Sequence, residues 1–269
     1  MTRSKDSIVD ATTPSAGRIY DYILGGHHNF EVDRQAAQFI LQNLPFVTKM
    51  MRLQRWCLQD IARELTENRG YDVVIDFASG LPTQDHIHLV VPEGTTVIYS
   101  DYDPVVVEYA REILGNTPNV YFYEADAKNP LELLQRPEVE AILGGRRDVA
   151  IVYWGVGAFL PDGALHAVAQ SLHEWSGPNS CWAFNAQAAD ANMDHPMVPA
   201  ILGMYQQMGA PLNLRTKQAY IDLVQPWIPD GVGLISLLEW HGFDSSELTP
   251  EDIEAFGATG AGYGGYLIK

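Results

Sequence analysis

Three carboxylates, Asp76, Asp101 and Asp126, each close a short β-rich run of the chain, within DVVIDFAS, TVIYSD and NVYFYEAD. After the first comes a small-residue turn, Asp76-Phe77-Ala78-Ser79-Gly80-Leu81-Pro82, in what reads as strand–turn–helix over residues 73–88. In doubly wound sheets a ligand sits at the carboxyl ends of the strands, where small residues let the backbone approach it closely. Ala78 and Gly80 take the first two positions of a GxGxxG pattern, but Pro82 and Thr83 stand where a dinucleotide pyrophosphate needs a small residue. The turn is a poor dinucleotide fingerprint and a good bed for a smaller nucleoside ligand. Asp101, 21 positions beyond Gly80, is placed to hydrogen-bond both ribose hydroxyls. Asp126 is placed to accept from an exocyclic adenine amine. The blander alternative is that each acid only caps the helix or turn behind it.

The elements that must position these groups follow from hydrophobic patterning. Apolar runs at 72–79, 96–101, 119–126, 148–154 and 180–187 alternate with helix-length segments near 83–92, 104–115, 130–142 and 162–176. That alternation describes an α/β, doubly wound sheet, mostly parallel and covered on both faces. Beyond Gln187, residues 196–209 and 216–224 read as helices, and 232–240 and 262–268 as final strands forming an antiparallel edge. Residues 1–13 read as a frayed arm. Two helical patterns follow, one carried by Ala37, Ile40, Leu41 and Leu44, the other running from about Thr48 to Asn68. Residues 1–70 are therefore an all-helical lead-in to a sheet domain over 71–269, the two forming one compact unit.

Residues 18–34, RIYDYILGGHHNFEVDR, match R-x-Y-D-Y-x-L-G-G-x-x-N-F-x-x-D-R at every fixed position, and Gly80-Leu81-Pro82-Thr83 follows downstream. With IYSDYDPVVVEYAR and YEADAKNP, these segments resemble the bacterial S-adenosyl methyltransferase family, class I enzymes of Rossmann-like fold. The resemblance implies a seven-strand sheet with an antiparallel last strand, a helical lid and bound S-adenosylmethionine. It places Asp76, Ala78, Ser79 and Gly80 against the methionine part, Asp101 and Tyr102 at the ribose, and Asp126 and Ala127 at the adenine. The stretch from Tyr20 and Tyr22 through Asn29 to Phe30 would close over the cofactor. A sulfonium makes its methyl group electrophilic, so the protein must chiefly align a nucleophile with it. His27 and His28, in the Gly-Gly turn, are candidate general bases or polar walls, or else loop histidines bonded to backbone. Tyr153 and Trp154 are candidates for lining the substrate pocket, or else ordinary core. Two departures from the family pattern stand out: Ala78 where a glycine is usual, and Tyr153-Trp154-Gly155 where a Leu-His pair is expected. A non-catalytic binder of S-adenosylmethionine or S-adenosylhomocysteine would show such changes. A nicotinamide oxidoreductase is a third possibility, opposed by Pro82.

Composition narrows the partners. The chain of 269 residues carries 34 acidic against 17 basic side chains, a formal charge of −17. Nucleic-acid binding draws on Lys and Arg at phosphates, and anionic membranes attract basic patches, so neither partner is expected and a small-molecule acceptor is. The longest near-apolar stretch, Val149–Leu160, has 12 residues, against about 20 for a membrane span. The polar start, Met1–Asp6, lacks the apolar run of a secretory signal, and a cytoplasmic protein is expected. Cys57 and Cys181 fit neither a disulfide framework nor a zinc site. His86 and His88, at i and i+2 of a predicted helix, should point apart. Asp190, Asp194 and His195 lack a further ligand at metal spacing, so no metal is expected. The glycine-rich 257–265 resembles a phosphate loop without a following helix, and no GxSxG nucleophile elbow appears.

Overall fold

The computed structural model describes residues 12–83, 85–186, 196–242, 249–251 and 262–269. The predicted arm (but for Thr12 and Thr13), Asp190, Asp194 and His195, and most of the 257–265 loop lie outside the described residues. Among those described, no helix is long and apolar enough to cross a membrane, and no group of three His, Cys, Asp or Glu is placed to hold a metal.

Three helices come first: α1 (Ala16–Ile23), α2 (Glu31–Asn43) and α3 (Val47–Arg63), the last continued by a π-helical turn at Glu64–Asn68. Five parallel strands follow: β1 (Val73–Phe77), β2 (Thr96–Asp101), β3 (Val120–Glu124), β4 (Ala150–Tyr153) and β5 (Cys181–Ala186). Their spatial order is β3-β2-β1-β4-β5, so the order reverses beside β1. Every residue of β1, β2, β4 and β5 is buried, which is why these strands read as unbroken apolar runs. The outer edge is antiparallel: β6 (Ile228–Pro229) and β7 (Ile235–Ser236) both pair with β8 (Tyr263–Ile268), which pairs with β5. Since β6 and β7 meet opposite ends of β8, eight strands occupy seven positions.

Helices α4 (Pro104–Leu114), α5 (Pro130–Leu134), α6 (Pro137–Leu143), α7 (Asp162–Trp175), α8 (Val198–Gln207) and α9 (Lys217–Leu223) complete the chain. The segment 130–142 is two helices rather than one. Pro137 starts the second, and the residue before a proline is driven out of the helical region. The run 232–240 is not a strand beyond Ile235–Ser236. Gly231 and Gly233 hold positive φ (55° and 76°), and a 3-10 turn at Leu237–Gly242 carries Trp240 into the core.

The largest departure lies after β1. Among the described residues of 83–92 there is no α-helix, only a 3-10 turn at Ile87–Leu89, because Pro82 and the left-handed Asp85 (φ 67°) oppose helical continuation. Leu58, Ile61 and Leu65, from α3 and its extension, cover that face instead, packing in one cluster with Val74, Leu81 and Ile87. The rings of His86 and His88 do not diverge. Both Nδ1 atoms lie 3.0 Å from the Tyr99 hydroxyl.

The N-terminal helices have a core of their own, where Ile19, Ile40, Leu44 and Val47 meet Ile201 and Tyr205 of α8. A buried ion network joins them to the sheet. Arg18 is 3% exposed; its Nε donates to Asp33 (2.8 Å) and its Nη1 to Asp103 (2.6 Å). Asp33, fully buried, also accepts from Ser15 N and Phe30 N. Removing one member of such a buried pair leaves the other charge unpaired, at about 3–5 kcal/mol. Arg18→Ala is therefore expected to lower the unfolding free energy by roughly that amount in urea titrations. Arg34→Ala, whose partner Glu31 is exposed, should stay within about 1 kcal/mol of wild type.

Candidate functional site

One cavity of about 450 Å³ opens at the carboxyl ends of β1 to β4, where the strand order reverses. Its sheet side is built by Ala78, Ser79 and Gly80 after β1, Asp101 and Tyr102 at β2, Asp126 and Ala127 after β3, and Trp154 after β4. Gly17 and Tyr20 of α1 and Gln54 and Arg55 of α3 form the facing wall.

The turn after β1 is held from three directions. Ser79 N donates to Ser100 O (2.9 Å) and Gly80 N to Asp101 Oδ2 (3.1 Å). From beneath, the buried His86 accepts from Ile87 N at Nδ1, so its proton sits on Nε2, 3.2 Å from Ser79 O. Burial, with the nearby Arg55 charge, holds the His86 imidazole well below its usual range and hence neutral. Ala78 and Gly80 both take left-handed backbone, φ 52° and 65°. That conformation suits glycine at Gly80 and strains the side chain of Ala78.

Asp101 is 6% exposed and braces two segments, since its Oδ1 also accepts from Asp103 N (3.0 Å). Burial pushes its carboxyl up to about 6, backbone hydrogen bonds opposing the rise. Asp103 caps α4 by accepting from Val105 N (2.9 Å). Asp126 accepts from Lys128 N (2.9 Å). The helix-capping alternative thus describes Asp103, while Asp101 and Asp126 line the cavity as well as bracing turns.

Other sequence candidates fall elsewhere. Asp76 is 2% exposed and does not line the cavity; burial, then the charge of Asp101, drives its carboxyl well above the usual range against the pull of Arg55. Tyr153 is buried in the sheet core, its hydroxyl donating to Ala127 O (2.9 Å), so it supports the site from below and does not line the cavity. His27 is exposed, and the half-buried His28 packs edge-on against Tyr109 of α4 at 5.1 Å; neither lines the cavity. Tyr22, Asn29 and Phe30 do not line it either. The Tyr22 hydroxyl accepts from Gln38, Asn29 Nδ2 donates to Asp21 (2.9 Å), and Phe30 packs under Arg18. A Cβ on Gly26 would fall 2.0 Å from Asp21 Oδ1, so the glycine lets Asp21 tie the loop. These motif positions hold together α1, the loop after it and the start of α2.

Gln54 and Arg55 were missed by sequence reasoning. The signal was available: Gln54 lies midway between Met50 and Leu58 on the apolar stripe of α3, four residues from each.

A doubly wound, mostly parallel sheet with a cavity at its switch point, two carboxylates (Asp101 and Asp126) in its lining, is the build of Rossmann-like methyltransferases. The family model described as S-adenosyl methyltransferase matches residues 2–262, and the chain belongs to that family, whose methyl donor is S-adenosylmethionine. A DUF574 family protein from Streptomyces avermitilis is similar at 25% identity and a TM-score of 0.84, covering 97% of this chain and 99% of that one. A Thermobifida fusca protein (23%, TM-score 0.84, covering 100% and 99%) shares the fold. So does a SAM-dependent methyltransferase from Anabaena variabilis (16%, TM-score 0.52, covering 95% and 96%). Comparison with curated proteins finds no match.

Ala78→Gly is expected to stabilise the protein, by up to about 1 kcal/mol, because relief of left-handed strain exceeds the entropy gained by the unfolded chain. Thermal unfolding checks it. Asp101 adds a pH signature. With its folded pKa about 6 and an unfolded value near 3.9, the folded state holds a proton that the unfolded state has lost between those values. Its contribution therefore favours folding at low pH and is lost as pH rises through about 6. Asp101→Asn should remove that component from a stability–pH profile.

Proposed function

We propose that this chain transfers the methyl group of S-adenosylmethionine to a small-molecule acceptor held in the same cavity. The observation that carries this is Asp101, a buried carboxylate on the cavity wall, fixed by two backbone N–H groups and keeping lone pairs for further donors. A ribose diol supplies two donors at that spacing. Asp126 takes the adenine amine, the Ala78–Gly80 turn lies under the amino-acid part, and Arg55 meets its carboxylate. Arg55 and Lys128 are the cationic side chains of the described lining, and only Arg55 belongs to the α3 wall. When bound, the cofactor supplies a methyl group already activated by the sulfonium. The protein's part is to orient the acceptor and exclude water, and no proton transfer is assigned to His27 or His28. The α1–α3 wall and α8 supply the cover.

A second reading, a binder without turnover, is favoured by the strained Ala78 and by the lack of histidine in the described lining. Methyl transfer to any acceptor would eliminate it.

Calorimetry with S-adenosylmethionine and S-adenosylhomocysteine tests the cofactor site. Both should bind, and at 100 times the dissociation constant should stabilise the fold by about 2.7 kcal/mol. Asp101→Asn should weaken both roughly tenfold or more, the worth of a charged hydrogen bond. Wild-type affinity should fall as pH drops below about 6, where Asp101 takes up its proton. Unchanged affinity in Asp101→Asn, with wild-type folding, would remove the ribose assignment.

A further inference from the structure

The cavity continues past the strand ends. Its far part is walled by Leu44 after α2, Val47 and Met50 of α3, Phe159, and Ile201 and Tyr205 of α8, which pack in one cluster. Ile201 and Tyr205 are the buried residues of α8, and their spacing of four puts both on one face of the helix. The charged side chains of the described lining, Arg55, Asp101, Asp126 and Lys128, come from α3 and the ends of β2 and β3, so α2 and α8 contribute none. Tyr205 is the one polar side chain that α2, α8 and residues 209–214 give to that lining. Its ring packs against Phe159, the centroids 6.0 Å apart. The residue is 8% exposed and its hydroxyl makes no hydrogen bond, yet the oxygen, unlike the sealed Gln54 Nε2, keeps accessible surface. Burial pushes the phenol up to about 12, so it stays neutral and keeps its proton to donate. A buried donor without an acceptor is unfavourable, and here the missing acceptor can come from the cavity.

We propose that Tyr205 recognises the methyl acceptor, a neutral and largely apolar carbonyl compound whose C=O oxygen accepts from Tyr205 Oη. The assignment rests on the cofactor reading above: with the sheet side taken by S-adenosylmethionine, the part of the cavity at α8 is what remains for the acceptor. The walls select a neutral body, since a carboxylate or ammonium placed among Leu44, Met50 and Ile201 would be desolvated without an opposite charge. The single hydroxyl selects the group. A carbonyl oxygen accepts and brings no proton of its own, whereas a hydroxyl or primary amide brings protons that the apolar side chains of α2 and α8 cannot receive. The aromatic faces of Phe159 and Tyr205 suit a flat ring beside the carbonyl. Tyr205 is thus a specificity-determining residue and takes no part in bond making. The reacting atom belongs to the other end of the same molecule, toward Trp154 and the strand ends.

Calorimetry on the S-adenosylhomocysteine complex tests this with three ligands of nearly one shape: 2-acetylnaphthalene, 2-ethylnaphthalene, which lacks the oxygen, and 2-naphthoate, which carries a charge. The ketone should bind best, with 2-naphthoate at least roughly tenfold weaker. Tyr205→Phe should raise the dissociation constant of the ketone roughly tenfold and leave those of the hydrocarbon and of S-adenosylhomocysteine unchanged, a selectivity that a purely structural role would not produce. Met50→Glu, at a half-buried wall position, should abolish binding of both neutral ligands while S-adenosylhomocysteine still binds, which places them in this part of the cavity. With S-adenosylhomocysteine bound, failure of 2-acetylnaphthalene to bind, equal binding of 2-naphthoate, or ketone binding that survives Met50→Glu would overturn the proposal. So would a Tyr205→Phe variant that weakens ketone and hydrocarbon alike, or neither. Wild-type protein that binds no S-adenosylhomocysteine would fail one step earlier, taking the cofactor reading with it.

Discussion

A guanidinium withdrawn from water between two carboxylates constrains everything around it. Arg18 can stay buried only while Asp33 on α2 and Asp103 at the start of α4 are both in place. Asp103 is in turn hydrogen-bonded to Asp101, and Asp101 to Gly80. A continuous line of polar contacts therefore runs from the helical cover, through the start of α4, to the turn after β1 that lines the cavity. A shift of α1 would be felt at Gly80 through four side chains or backbone groups, none with freedom to relax into water. The ion network is weak evidence for stability, since burying three charges is itself unfavourable, but it fixes how the cover meets the sheet.

The same network gives the N-terminal motif its physical meaning. Arg18, Asp21, Gly26, Asn29 and Asp33 serve one another: Asp21 ties the loop, Gly26 makes room for Asp21, and Asp33 receives Arg18 and the entry to α2. The cover then contributes to the cavity through other residues, Gly17 and Tyr20 of α1 and Gln54 and Arg55 of α3. Trp154 belongs to both sides, lining the cavity while its indole holds the α3 main chain.

Much of this was legible in the sequence. The central strands are buried on both faces, so apolar runs marked them, and two of the three acids at strand ends, Asp101 and Asp126, marked edges of the cavity. Position along a strand does not say which way a side chain points, and so Asp76 and Tyr153, both near strand ends, proved to face the interior. Helix length could not be judged after β1 because Pro82 and Asp85 changed the backbone where the spacing still suggested a helix. Helix α1 was hidden by a composition rich in tyrosine and glycine, and depends on tertiary partners such as Asp33 for its place. Gln54 was overlooked because an apolar stripe is read through its apolar members. The polar exception in that stripe is what lines the cavity.

The most direct test is a crystal structure with S-adenosylhomocysteine bound at saturation. The site described here requires the ribose hydroxyls on Asp101, the adenine beside Asp126, the amino-acid carboxylate at Arg55, and the part of the cavity lined by Ile201 and Tyr205 still open for an acceptor. Density in which the nucleoside lies away from Asp101, or in which the ligand itself fills the part lined by Ile201 and Tyr205, would contradict it.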